Sequence, residues 1–363
     1  MSVLTGLRKR PSLVVMFAIA LVFLFVVPRV TELYIINDLT VFAVMATLAL
    51  SLALVWGYGG ILSLGQSVFF GIGGYVYAIT VLNMGESTIP VLLSVLLPML
   101  FAALLGYFMF YGRISDIYLA VITLTVSLIF YHLIVSTSGG QWRIGKSAIG
   151  GYNGIPGVPP INMPGDAGDR LSFEGKYYLA IAVMFLTYFG IRWLLETRFG
   201  RVCVSIRENE GRTELIGYDA RAYKLALYVV GAGIAGLAGA LYANWGGFVS
   251  PVVFNIFFTA QIIVWVMVGG LGTLVGPMLA AVAIQYLVTQ LGAAATSEIK
   301  AGLTVFGLRF ELKNFLDSNI VLGFIFIVFT LFIPKGVVPY VRDLLVSRRD
   351  DRTRQAAGGR PAG

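Results

Sequence analysis

Charge is scarce in this chain. Of 363 residues, 12% are Asp, Glu, Lys or Arg, roughly half the share of an ordinary soluble domain. Cysteine and histidine occur once each, as Cys203 and His132. One cysteine excludes an internal disulfide and a cysteine metal cluster, and one histidine leaves no multi-histidine metal site. The apolar runs at 39–56, 67–84, 90–110, 117–136 and 225–291 contain no Asp, Glu, Lys or Arg. Proton- and sodium-coupled carriers place ionisable groups inside their spans, so this absence argues that energy enters elsewhere or not at all. It also removes the acid, base and nucleophile sets that an intramembrane enzyme needs. The expectation is a protein that is not an enzyme and carries no cofactor and no metal.

What the chain has instead is apolar length. Hydrophobic residues make up 58% of it and the mean hydropathy is +0.86, which leaves little room for a separate globular domain. The net charge of +8 does not form a nucleic-acid-binding stripe. The basic residues gather beside the apolar runs and at the termini, the pattern of cytoplasmic loops. The expected surroundings are membrane lipid, with no nucleic-acid partner.

Arg8, Lys9 and Arg10 precede a run from Pro11 to Pro28. No secretory cleavage pattern follows it, so it reads as a retained span with the N-terminus in the cytoplasm. Runs at 39–56, 67–84, 90–110 and 117–136 follow, each near the ~20 residues that cross ~30 Å of hydrocarbon. A polar stretch from Thr137 to Lys176 separates these from a sixth run at 177–195. Crossings at 225–243, 259–270 and 274–291 come next, although 259–291 equally accommodates one span and a re-entrant hairpin. A last run at 319–334 brings the C-terminus inside. The fold expectation is therefore an all-α polytopic membrane protein of about ten spans. The membrane domain covers 1–347, and 348–363 is a polar, aperiodic tail expected to be disordered on the cytoplasmic side.

One sequence match is misleading. Gly140 to Ser147, GQWRIGKS, fits the phosphate-binding pattern G-x-x-x-x-G-K-[ST]. A working phosphate loop follows a buried strand and opens a helix. Here an apolar run precedes it and AIGGYNG follows, a poor helix start on the outer side by crossing count. Nucleotide binding is not expected there. His132, beside Tyr131 near the end of its run, reads as a residue that hydrogen-bonds a neighbouring helix rather than a transport group.

Two glycine-rich breaks, GGILSLG (59–65) and GGLGTLVG (269–276), resemble each other and lie one in each half of the chain. Broken helices at matching places in two weakly repeated halves point to a solute pathway near the bilayer middle; close helix packing is the competing explanation. Ser63 and Gln66 add polar groups to the first break and are the leading pathway candidates. Thr123 and Thr125 are weaker ones, because threonines in helices commonly bond back to their own backbone. Small residues at four-residue spacing after Leu225, from Gly231 to Gly239, predict a close helix contact with a partner the pattern does not identify.

The longest densely charged run is 196–224. Phe199, Val202, Cys203 and Ile206 fall at i, i+3, i+4 and i+7, one apolar helix face. Glu208 and Arg212 are spaced to pair along a second short helix, Gly217 is placed to end it, and Asp219 to cap the next. Six crossings put this element in the cytoplasm. An ordinary basic loop is the plain reading. Two short helices joined rigidly to spans at both ends can also pass force between the membrane and a soluble partner.

The order Ile206-Arg207, Asn209-Glu210, Glu214, Gly217 and Tyr223-Lys224-Leu225, followed by a small-residue helix, resembles the coupling segment of LivM-type permeases. SLGQSVFFGIGGYVYA resembles their first glycine-rich segment. The departure is Gly211-Arg212-Thr213, where small alanines are usual. The resemblance implies the permease subunit of an ATP-binding-cassette importer for branched-chain amino acids in a bacterial or archaeal inner membrane. A urea or short-chain amide permease is the alternative, and a passive channel or a membrane ATPase are alternatives of other classes. The resemblance also implies a second LivM- or LivH-like permease, two cytoplasmic ATPase subunits and a solute-binding protein as partners. Arg207, Asn209, Glu210, Glu214, Leu215, Ile216 and Gly217 would couple to the ATPases.

Overall fold

The computed structural model describes residues 11–139, 141–163, 168–296, 302–305 and 308–311, with Gly323, Ile327 and Tyr340. The expected span at 319–334 and the tail at 348–363 lie outside the described residues.

The apolar runs fold as helices: α1 Pro11–Phe25, α2 Val27–Val30, α3 Leu33–Leu52, α4 Gln66–Met84, α5 Thr88–Tyr111 and α6 Asp116–Ser136. After the polar stretch come α7 Phe173–Glu196, the short helices α8 Arg198–Glu208 and α9 Glu210–Leu215, then α10 Ala220–Gly246, α11 Ile256–Gly269 and α12 Val275–Thr296. Five of the described helix starts carry side-chain caps. Ser172, Thr197, Asn209, Asp219 and Asn255 each accept a backbone N–H from the first turn of the helix they precede, a contribution of about 1 kcal/mol apiece.

α3 continues into a π turn, Ala53–Tyr58. Among the described residues six helices are long and apolar enough to cross a membrane, Leu33–Tyr58 and α4, α5, α6, α7 and α10, and three shorter apolar ones accompany them. The chain is a multi-pass helical membrane protein. α11 has 14 residues, about 21 Å of helix, too short to cross alone. It pairs with α12 around the second glycine break.

α3 is the buried centre, packed against α7, α10 and α12, while α10 packs on α4 and α5. The small residues of α10 find their partner within this chain. A Cβ added at Gly73 would run into the Gly236 carbonyl, and one at Gly239 into the Phe70 carbonyl. Only glycine lets these backbones approach so closely.

The polar stretch is a tied-down cap. β1 Arg143–Ile144 and β2 Ser147–Ala148 form a hairpin, and β3 Ile155–Pro156 pairs antiparallel with β4 Phe248–Val249, just after α10. Tyr77 donates to the Pro159 carbonyl (3.1 Å), and the Ile161 and Ser87 amides donate to Asn244 (2.8 Å) and Asn162 (2.7 Å). A further hairpin, β5 Gly302–Val305 with β6 Leu308–Glu311, adds strand the helical expectation did not contain.

The phosphate-loop match resolves as the β1–β2 hairpin. Gly145 takes φ +63° at its turn. Asn83 clamps the hairpin, accepting from the Lys146 amide (2.7 Å) and donating to the Ile144 carbonyl (2.9 Å). Ser147 lies in a strand and opens no helix that could offer N–H groups to phosphate, so the pattern is met in letters and not in shape.

Candidate functional site

Two places bring the candidate residues together. The first is the element between α7 and α10. Val202, Cys203 and Ile206 of α8 are buried as their spacing predicts, and Phe199 stacks on Tyr223 of α10 with ring centroids 5.5 Å apart. Burial pushes the Cys203 thiol up to about 12. α8 stops at Asn209, whose side chain accepts from the Arg212 amide at 2.9 Å. α9 is pinned to α8 by Thr213, buried and hydrogen-bonded to Ser205 (2.8 Å) and to the Asn209 carbonyl (2.9 Å). Gly217 closes the turn at φ +100°, a backbone that strains any side-chain-bearing residue. Asp219 accepts from the Arg221 amide at 3.1 Å.

The expected Glu208–Arg212 pairing is a correction. The break at Asn209 puts the two residues on different helices, so i, i+4 spacing no longer sets them side by side. The ion pair that holds α9 is Glu210 to Lys224 of α10, at 2.6 Å.

The seven coupling candidates divide by direction. Leu215 and Ile216 point outward, 90% and 69% exposed. Glu214 lines a charged cleft of about 360 Å³ with Arg113, Asp116, Arg221 and Lys224. Asn209 and Gly217 shape the turns, and Glu210 ties α9 to α10. Arg207 points the other way, and its Nη1 donates to the Gly57 carbonyl in the π turn of α3.

The second place is the first glycine break. Ser63, Gln66 and Thr123 meet there. The Thr123 hydroxyl accepts from the Leu64 amide (3.0 Å), Ser63 accepts from the Gly65 amide (3.3 Å), and Gln66 Nε2 donates to Ser51 (3.0 Å). Thr125 does not join them. It lies on the exposed face of α6 and bonds back to the Val121 carbonyl at 2.9 Å. His132 is likewise exposed, edge-on to Tyr131.

Sequence reading missed four members of this seam. Besides Ser51, Ser67 hydrogen-bonds both Ser127 (3.2 Å) and Thr259 (2.8 Å). Thr123 and Ser127 at i, i+4 in one apolar run carried a usable signal; Thr259, from the other half of the chain, carried none. Ser51, Ser63, Gln66, Ser67, Thr123, Ser127 and Thr259 are each 3% exposed or less, so the seam is shut. Gln66 Oε1 has no hydrogen-bond partner, and the Tyr228 hydroxyl faces Ser63 without completing a bond. A buried polar atom left unpaired costs about 1–3 kcal/mol, which favours opening to water or a polar solute. The side chains of the seam are neutral hydroxyls and an amide, groups that can hydrogen-bond a polar solute. No group of three or more potential metal ligands occurs among the described residues.

Residues 34–330 match the family of the permease component of branched-chain amino acid transport systems. The high-affinity branched-chain amino acid transport system permease protein LivM of Escherichia coli is 28% identical over 300 residues, covering 76% of this chain and 67% of its own length. The protein of the same name from Salmonella typhimurium is 28% identical over 299 residues with the same coverage. The probable branched-chain amino acid transport permease protein LivM of Methanocaldococcus jannaschii is 28% identical over 205 residues, 51% of this chain and 54% of its own. No solved structure matches.

Proposed function

The chain belongs to the family of branched-chain amino acid transport permease components, and from that premise we propose that it forms the solute path of an ATP-driven importer. The solute is a branched-chain amino acid, the substrate class in the names of its relatives. The permease binds no nucleotide of its own. Two ATPase subunits dock on α8 and α9 from the cytoplasm, a second similar permease completes the membrane core, and a solute-binding protein delivers from outside. Both termini lie in the cytoplasm of a bacterial or archaeal cell.

The observation that carries this reading is the build of the α8–α9 element. It is capped at every turn, pinned to α10 by Glu210–Lys224 and to α3 by Arg207, yet it presents Leu215 and Ile216 bare to solvent. Burial of such side chains normally contributes about 1.5–3 kcal/mol. A soluble partner that covers them accounts for both the rigidity and the exposure. The neutral seam at the break suits a solute whose charges cancel, and alternation between its shut form and an open one would move that solute.

The test is uptake into proteoliposomes holding both permeases and the ATPases, with the binding protein supplied outside. Accumulation of labelled leucine, isoleucine or valine that requires ATP is expected. ATP-independent equilibration would make the protein a channel, and uptake of labelled urea in place of amino acid would reassign the solute.

A further inference from the structure

We propose that Arg207 is a transmission strut, a positioning residue that carries movement of α8 to both glycine breaks at once. The inference rests on the importer reading and assigns Arg207 an inward role distinct from ATPase docking.

Three contacts fix the side chain. Its Nη1 donates to the Gly57 carbonyl at 2.5 Å. A Cβ built at Gly60, where φ is +72°, would lie 3.1 Å from Arg207 Cγ and 3.4 Å from its Cβ, so the first break rests against the arginine stem. A Cβ built at Gly272, where φ is +79°, would lie 3.3 Å from Arg207 Nη1. The second break also packs against the π turn that leads into the first, since a Cβ at Gly57 would come 3.1 Å from the Gly272 amide nitrogen. One guanidinium from the α8–α9 element therefore plugs the junction of two segments more than 200 residues apart in sequence.

The chemistry suits the place. The last carbonyls of a helix lack intrahelical donors and carry partial negative charge. A guanidinium stays charged at every accessible pH and offers five donors in a fixed plane. The glycines are what let backbone approach that plane so closely.

Both breaks then lead to the same seam. From Gly60 the chain reaches Ser63 and Gln66 directly, with the Leu64 amide held by Thr123. From Gly272 it connects to α11, whose Thr259 hydrogen-bonds Ser67, the neighbour of Gln66. A shift of α8 transmitted through Arg207 moves both walls of the seam together. Were it transmitted only through the chain ends of α8 and α9, it would move α7 and α10 instead.

The test uses the whole importer with its ATPases in nanodiscs, comparing amide exchange at 57–66 and 198–208 with and without ATP plus vanadate. In the native complex both segments respond. In Arg207→Ala the ATPases remain bound and 198–208 still responds, while the response at 57–66 is lost. Uptake falls at least about tenfold with ATP hydrolysis within about twofold of native. Arg207→Lys keeps the charge without the fork and serves if the alanine variant does not assemble; the same split at smaller amplitude is expected. The strut is refuted if 57–66 still responds in either variant with uptake intact, or if the ATPases are lost, which would make Arg207 a docking residue. A native complex in which 198–208 itself does not respond refutes the importer reading, and the strut with it.

Discussion

Replacing Leu215 by aspartate tests whether α8 and α9 dock a soluble subunit. Leu215 is 90% exposed, so its side chain does little for the permease's own fold, and a substitution at so bare a site changes stability by no more than about 0.5 kcal/mol. If a partner buries it, the leucine contributes about 1.5–3 kcal/mol to docking, roughly a ten- to hundredfold factor in affinity. Aspartate removes that term and adds an unpaired buried charge, a further penalty. Stability and docking should therefore separate. Tagged Leu215→Asp permease is expected to purify in normal yield, unfold at the native temperature and retain little or no ATPase. Ile216 lines a cleft with Arg198, Val202 and Tyr218, so Ile216→Asp should lose some stability as well. Arg212→Ala is the control; exposed ion pairs contribute about 0.2–1 kcal/mol and the ATPases should stay. A Leu215→Asp permease that keeps its full complement of ATPases and transports normally would refute the docking surface. One that fails to fold would place Leu215 in the permease's own packing.

Other outcomes follow from the same geometry. Tyr152 is 63% exposed in the capping loop; Tyr152→Cys should react with an impermeant thiol reagent added to intact spheroplasts, and Leu215→Cys only after permeabilisation. Native Cys203 should stay silent from both sides, even as the pH rises through the ordinary thiol range, because its thiol is buried and held at about 12, leaving almost no thiolate. Labelling in the reverse order would invert the topology. Lys146→Ala should leave uptake unchanged, whereas Asn83→Ala should loosen the hairpin by about 1 kcal/mol and open it to proteolysis; ATP binding by isolated permease that Lys146→Ala abolished would revive the phosphate loop. Gln66→Leu conserves volume and leaves Ser51 bonded to the Leu48 carbonyl. Losing the bond to Ser51 should cost the permease about 0.5–1.5 kcal/mol of stability while uptake slows, and normal uptake would remove Gln66 from the pathway.

Helix positions were legible because they depend on local terms. Long apolar runs need internally bonded backbone in a bilayer. Gly217 and Asp219 mark ends because caps and left-handed turns act within a few residues. The same locality explains the failures. Thr123 and Thr125 are two residues apart, about 200° around a helix, so at most one can face the seam, and only the packing of α6 decides which. Glu208 and Arg212 had pairing distance along one helix until the Asn209 break divided it. GQWRIGKS has the letters of a phosphate loop, but Asn83, some sixty residues earlier, holds it as a hairpin.

Composition and periodicity by themselves determined a multi-pass helical protein and that it carries no Asp, Glu, Lys or Arg in the runs at 39–56, 67–84, 90–110, 117–136 and 225–291. Resemblance of the 196–224 order to known permeases supplied the family. Tertiary structure alone decided that the small face of α10 meets α4 of the same chain and that the second glycine break packs against the π turn before the first. It also decided that Thr259 closes a seam begun at Ser51 and that Arg207 turns inward while Leu215 turns out. The physical reason is range. Hydrogen bonding within a helix and the apolar length of a span are set by neighbours in sequence. The meeting of Gly57, Arg207 and Gly272 depends on how separate helices stack, and nothing in any one segment encodes its distance from the others.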